Sequence, residues 1–221
     1  MDKSYERDHF SMKWPFRVLL CGPSGVGKTT LVTRMIENPD ECMSQAPSSI
    51  HIFFNHMQEC YNVIKDKSKC PVYFHSEPPS DDFISESGAL VVFDDLQGQK
   101  KNTEFIRDFF TRKSRHANTS ACYICQSLYD SRDPSQKVIS DNSTYKIIFN
   151  NPGDRSQITT LSSRIYPGRK SVLVEALDLA VLSGSRYLVI DCSLDTPEEL
   201  RLRNTIFVES DFPKSDVYIV R

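Results

Sequence analysis

Residues 22–30 read Gly22-Pro23-Ser24-Gly25-Val26-Gly27-Lys28-Thr29-Thr30, directly after the apolar run Phe16 to Cys21 and directly before a stripe of Leu31, Val32, Met35 and Ile36. Residues 22–29 match the P-loop pattern in full, and a buried strand followed by an amphipathic helix is the context that motif requires. Glycines let the backbone curl closely around a phosphate chain, while successive N–H groups and the start of the helix supply donors and positive potential. Lys28 is therefore expected on the β- and γ-phosphates and Thr29 on Mg²⁺. Gly22, Pro23, Ser24, Gly25, Val26, Gly27 and Thr30 form the rest of the cradle.

Outward from this turn, similar apolar runs recur at Ile50 to Phe54, Val72 to Phe74, Ala89 to Phe93, Ala121 to Cys125, Tyr145 to Phe149 and Tyr187 to Ile190. Several are continuous rather than alternating, and Val91, Val92, Ile147 and Ile148 are β-branched, as expected for strands covered on both faces. Helical stripes lie between them: the one after the P-loop stops at Asn38-Pro39, a second carries Phe105, Ile106, Phe109 and Phe110, and a third runs from Val172 to Val181. The alternation predicts an α/β fold with a mostly parallel central sheet flanked by helices. The stretches 1–14 and 208–221 read as polar arms on a single domain spanning 15–207.

Composition narrows the function classes. The chain has 221 residues, 27 basic against 29 acidic, and 39% apolar residues, enough for a sizeable core and unlike a disordered chain. No apolar run approaches the roughly 18 residues of a membrane span, so no membrane anchor is expected. Asp2, Lys3, Glu6, Arg7, Asp8 and Lys13 near the start fit neither a secretory nor a transit leader. An intracellular protein is expected, with its seven scattered cysteines reduced. A formal charge of -2 argues against nucleic-acid binding through global charge and leaves room for a local basic patch.

The second half of a phosphate site is an acid at the end of a buried strand, and Ala89-Leu90-Val91-Val92-Phe93-Asp94-Asp95 supplies it. Asp94 is the expected Mg²⁺ partner, and Asp95 the group that orients or deprotonates a water. Gln126 follows the strand Ala121 to Cys125, where its amide can contact both a γ-phosphate and that water. Cys122 and Cys125 have redox-like spacing but no second pair or His cluster, and read as packing residues. Asp95-Leu96-Gln97-Gly98 spells the DxxG of GTPases, yet no guanine-reading [NT]KxD follows. Leu182-Ser183-Gly184-Ser185 partly echoes a transporter-ATPase signature but falls after Asp94, and reads as a helix end. A small-molecule kinase and a regulatory nucleotide-binding module remain open at this point.

The order P-loop, Asp94-Asp95, Asp108 to His116, then Gln126 resembles the FtsK/HerA superfamily of DNA-translocating ATPases, in particular viral genome-packaging ATPases of the poxvirus, Polinton and adintovirus kind. Tyr145 to Asp154, Ile165-Tyr166-Pro167, Tyr187 to Asp191 and Asp195 to Phe207 carry the same likeness, which covers roughly residues 16 to 207. The resemblance implies a RecA-like core, ATP with Mg²⁺, and a ring of five or six subunits that threads double-stranded DNA into a capsid. It further implies capsid proteins as partners and a place at a virion assembly site in the host cytoplasm or nucleus. Arg115, eleven residues before Gln126, matches the arginine finger that completes a neighbouring subunit's site, with Arg112 in reserve. Two departures stand out. Many relatives carry Glu where this chain has Asp95, and the viral branch often has Arg where Lys137 stands, which leaves Lys137 only a weak phosphate-sensing role. The expected DNA surface is the segment Lys100 to Arg115, with Lys100, Lys101, Arg107, Arg112, Lys113 and Arg115 against Glu104 and Asp108.

Overall fold

Arg17–Cys21 forms β1, and its side chains divide by parity: Val18 and Leu20 enter one apolar core, Leu19 and Cys21 another. Ala89–Asp94, β4, divides the same way, with Leu90 and Val92 on one side and Val91 and Phe93 on the other. Continuous apolar runs arise because both faces of the sheet are covered. The computed structural model describes residues 10–77, 83, 86–97, 100–129, 133–208 and 216–219.

After β1 come α1 (Lys28–Glu37), β2 (Ser49–Phe54), α2 (Glu59–Lys67), β3 (Val72–His75), β4 and α3 (Lys100–Asp108). A π-helical turn (Phe109–Lys113) leads into α4 (Ser114–His116), then β5 (Ser120–Cys125), α5 (Pro134–Asn142), β6 (Tyr145–Phe149), α6 (Ser156–Ile165), α7 (Val172–Leu182), β7 (Tyr187–Asp191) and β8 (Leu202–Arg203). The sheet order is β3-β2-β4-β5-β1-β6-β7-β8. The first six in that order are parallel, and β7 and β8 are added antiparallel. Leu31, Val32, Met35 and Ile36 of α1, with Tyr61 and Ile64 of α2, fill one core; residues of α3, α5, α6 and α7 fill the other. The expected α/β architecture is thus the observed one, and all seven apolar runs are strands.

Four elements carry no strong sequence stripe: α2, α5, α6 and the two-residue β8. Of these α5 had a legible start, because Asp133 accepts the Ser135 N–H at 3.0 Å and Pro134 opens the helix. The Phe105 to Phe110 stripe predicts a regular helix; the structure widens it into the π turn, where the Ser114 N–H reaches back to the Phe109 carbonyl. The Phe110 carbonyl accepts the buried Arg17 guanidinium at 3.0 Å, which ties this turn to the first residue of β1.

The described parts of the two polar stretches lie against the domain. Phe10 and Met12 are buried, the Met12 N–H donates to the Cys42 carbonyl at 2.8 Å, and the Val208 N–H donates to the Glu41 carbonyl at 2.8 Å. Arg203, wholly buried, pairs with Asp191 at 3.3 Å and donates to the Phe10 carbonyl at 2.8 Å, so each buried charge is met. Residues 1–9, 209–215 and 220–221 of those stretches lie outside the described residues. Among the described residues no helix is long and apolar enough to cross a membrane.

Candidate functional site

The turn from β1 to α1 depends on glycine at two positions for different reasons. At Gly22 a Cβ would sit 2.6 Å from the Phe149 Cβ at the end of β6, closer than packed carbons approach. Gly27 has φ 99 and caps α1 with no side chain of its own, which leaves the first N–H groups of the helix free of a side-chain acceptor. Lys28, the first residue of α1, is buried and donates from Nζ to the Gly22 and Pro23 carbonyls at 2.7 Å each. Burial lowers its pKa, and the nearby negative charges of Asp95 and Asp94 work in the opposite direction.

Asp94 ends β4 at 2% exposure, and its Oδ2 accepts from Thr29 Oγ1 at 3.0 Å, Gln58 Nε2 at 3.1 Å and Tyr61 OH at 2.7 Å. Burial raises its pKa, against the hydrogen bonds from Tyr61 and Thr29 that favour the ionised form. At Asp95 the chain leaves the sheet in a left-handed conformation, φ 53, with its carbonyl held by Asn55 Nδ2 at 2.6 Å. The exposed Asp95 carboxylate accepts Gln126 Nε2 at 3.0 Å through Oδ1. Gln126 is in turn set by Gln97, whose Oε1 accepts the Gln126 N–H at 2.6 Å.

These groups surround one cleft of about 210 Å³, lined by Ser24, Gly25, Gly27, Lys28, Thr29 and Thr30 from the turn and by Gln58, Asp94, Asp95, Ile124 and Gln126 opposite. The sheet order explains the convergence: β5 lies between β1 and β4, so Gln126 emerges between the P-loop and the acidic pair. The donor set fits a hard cation, since Thr29 offers a hydroxyl oxygen and Asp94 a carboxylate within hydrogen-bond distance of each other. Of the other expected residues, Gly22 and Pro23 hold the Lys28 ammonium through their carbonyls. Val26 faces a second cavity.

That second cavity, about 480 Å³, shares Gly27 and Thr30 with the cleft. Its walls include Leu31 and Arg34 of α1, the Phe149 and Tyr187 rings with centroids 5.3 Å apart, and Phe207, over which the Arg34 guanidinium lies at 4.0 Å. Ser183, Gly184 and Ser185 close one side. They form the end of α7, as expected, where Gly184 takes φ 91 and the Ser185 N–H returns to the Ala180 carbonyl at 2.9 Å.

The remaining expected residues lie elsewhere. Arg115 is exposed on α4, at the end of the sheet opposite the cleft: its positive charge bears on Arg17, the first residue of β1, and the Asn118 carbonyl beyond it accepts the Gly88 N–H just before β4. Arg112 is tied to Asp108 at 3.1 Å. Lys137 is exposed on α5 and is not among the residues lining the cleft. Along the basic segment, Lys100 pairs with Glu104 at 3.9 Å, Arg107 with Asp108 at 3.0 Å, and Lys113 lies over the Phe105 ring at 4.4 Å. Gly98 of the DxxG reading lies outside the described residues. Cys122 and Cys125 pack in opposite cores. Asn55, Gln58, Tyr61 and Gln97 are the site residues that sequence reasoning missed. All but Tyr61 are polar residues on connecting segments, and no spacing rule marks them.

No protein-family profile matches the chain. No curated protein matches it either. Among solved structures, the genome packaging NTPase B204 from Sulfolobus turreted icosahedral virus 2, in complex with ATP-gammaS, is similar over 80% of this chain and 93% of its own, at 14% identity and a TM-score of 0.46. Thermomonospora curvata EccC (ATPases 2 and 3), in complex with a signal sequence peptide, is similar over 61% of this chain and 30% of its own, at 12% identity and a TM-score of 0.41. The sheet, its strand order and the P-loop turn are those of a P-loop NTPase fold.

Proposed function

We propose that this chain is a Mg²⁺-dependent ATPase that works as one subunit of a ring moving double-stranded DNA, packaging a viral or virus-like genome into a capsid within the host cell. One observation carries the nucleotide part of this reading: Lys28, Thr29, Asp94, Asp95 and Gln126, from three neighbouring strand ends, line a single cleft. The adjoining cavity of about 480 Å³ suits the nucleoside end, within the roughly 300–1,000 Å³ of small-molecule sites.

In this reading Lys28 trades its bonds to the turn carbonyls for phosphate oxygens and neutralises their charge. Thr29 and Asp94 would hold Mg²⁺, which when bound supplies Lewis-acid stabilisation of the phosphate charge. Asp95 takes up the proton of an attacking water, and Gln126, already hydrogen-bonded to that carboxylate, aligns the two. Ring assembly and DNA movement rest on the resemblance carried by residues 16–207 and on the location of Arg115. A guanidinium so far from its own cleft is suited to a neighbour's, where it would neutralise charge developing on the γ-phosphate.

Steady-state hydrolysis of ATP by the full chain, with and without duplex DNA, tests the proposal. Turnover is expected to require Mg²⁺, to rise with duplex DNA, and to fall about 100-fold or more in Lys28→Ala, the scale of losing one preorganised charge contact. Nucleotide binding without DNA-dependent turnover in any assembly state would replace the motor by a regulatory module. Phosphoryl transfer to a small acceptor would make the chain a kinase.

A further inference from the structure

The segment joining β2 to α2 touches both acids of the cleft. Asn55 holds the Asp95 carbonyl at 2.6 Å, Gln58 donates to Asp94 Oδ2 at 3.1 Å, and Tyr61 donates to that same oxygen at 2.7 Å. The three are spaced three residues apart, and β2 lies beside β4 in the sheet, so their contacts follow from strand order rather than chain proximity.

Tyr61 and Gln58 meet Asp94 in different ways. Tyr61 is 1% exposed, and its ring packs against Phe54 and Phe74 with centroids 5.1 and 5.8 Å away. Its hydroxyl has one acceptor among the described residues, Asp94 Oδ2. Gln58 is only half-buried and itself lines the cleft. Oδ2 receives three donors, Thr29 included, whereas no donor among the described residues reaches Oδ1. Turning the carboxylate would strand a buried phenol, an arrangement that proteins avoid. Gln58 can leave without stranding a buried group, because water in the cleft replaces it.

We propose that Tyr61 is a positioning residue for the metal side of this cleft: by anchoring Asp94 Oδ2 it fixes the rotation of the carboxylate and keeps Oδ1 available to Mg²⁺ or its water, while Gln58 is an exchangeable donor. The inference rests on the nucleotide reading above. Outer-layer partners of this kind typically change metal affinity 10- to 100-fold when removed.

The test is the affinity of the full chain for a fluorescent, non-hydrolysable ATP analogue in Mg²⁺ and in EDTA, joined by titration of Mn²⁺ onto the nucleotide complex. Tyr61→Phe keeps the ring between Phe54 and Phe74. It is expected to leave the EDTA affinity unchanged, to cut the gain from Mg²⁺ about tenfold, and to weaken Mn²⁺ binding in proportion. Gln58→Ala should change the gain less than about threefold. A Tyr61→Phe protein with the wild-type gain overturns the proposal, as does one that loses affinity equally in Mg²⁺ and EDTA or fails to melt cooperatively, since the hydroxyl is then only structural. A wild-type chain that binds the analogue in neither condition overturns the nucleotide reading as well. Wild-type Mg²⁺ dependence with an unaffected variant overturns this inference alone.

Discussion

The two ends of the parallel strands are built on opposite principles. At the C-terminal ends of β1, β4 and β5, the polar groups are bonded to one another: Lys28 to two carbonyls, Thr29 to Asp94, and Gln126 to Asp95. At the N-terminal ends Arg17 is buried against the π turn, whereas Arg115 is exposed and has no ion pair among the described residues. A strand of six residues separates the ends by about 20 Å at roughly 3.3 Å per residue, more than an arginine side chain spans. Arg34 and Arg155, which line cavities beside the P-loop, are engaged by Phe207 and by Asp178, whereas Arg186, on the wall of the larger cavity, is exposed and has no ion pair among the described residues. Each chain therefore carries the cleft at one end of its parallel strands and the exposed, unpaired Arg115 at the other. In the proposed ring, Arg115 of one copy would face the cleft of the next.

Arg115→Ala is expected to cost the most. A finger supplied across an interface is worth about 10³-fold or more in turnover, so the variant should lose that much, while Arg112→Ala, already paired with Asp108, should stay within about twofold. Asp95→Asn attacks the other edge and should cost about 10²-fold or more, the lower end for a general base, with nucleotide affinity retained. Mixing the two variants sharpens the contrast. Mixed assemblies should regain activity if an Asp95→Asn subunit lends its arginine to an Arg115→Ala subunit, and a failure to recover in verified mixtures would return Arg115 to a role within its own chain.

The smallest effect concerns stability without ligand. Burial raises the Asp94 pKa, so the folded chain holds that proton more tightly than the unfolded chain does. Ionising Asp94 then costs folding free energy above the raised pKa, and the cost fades as the pH falls through it toward the ordinary carboxylate range. Asp94→Asn removes the charge and keeps an oxygen for Thr29, Gln58 and Tyr61, because all three bond the same atom. Thermal denaturation at neutral pH should show a gain of about 1 kcal/mol, or roughly 2–4 °C, and a flatter pH dependence. A lower melting temperature would mean that the charge is compensated by its surroundings.

The P-loop, the acidic pair and Gln126 were legible because each depends on local rules: glycine where the backbone turns left-handed or meets Phe149, and an apolar run that ends in a polar residue. The seven long strands were legible for a similar reason, since burial on both faces demands unbroken apolar runs. Gln58 and Tyr61 were not. Segment 55–61 lies far from residue 94 in the chain, and only the pairing of β2 with β4 brings them together. The π turn was hidden too, because its apolar stripe is also that of an ordinary helix, and what distinguishes it is the Ser114 N–H bonded five residues back to the Phe109 carbonyl.

From the amino-acid order alone came the α/β class, the glycine-rich turn between β1 and α1 and the two carboxylates at the end of β4, all consequences of backbone sterics and of apolar patterning over short windows. Tertiary structure decided that β5 enters between β1 and β4, that Tyr61 reaches Asp94, and that Arg115 stands at the far edge from its own cleft. Those outcomes depend on how distant apolar faces are buried together, and no short stretch of chain encodes that choice.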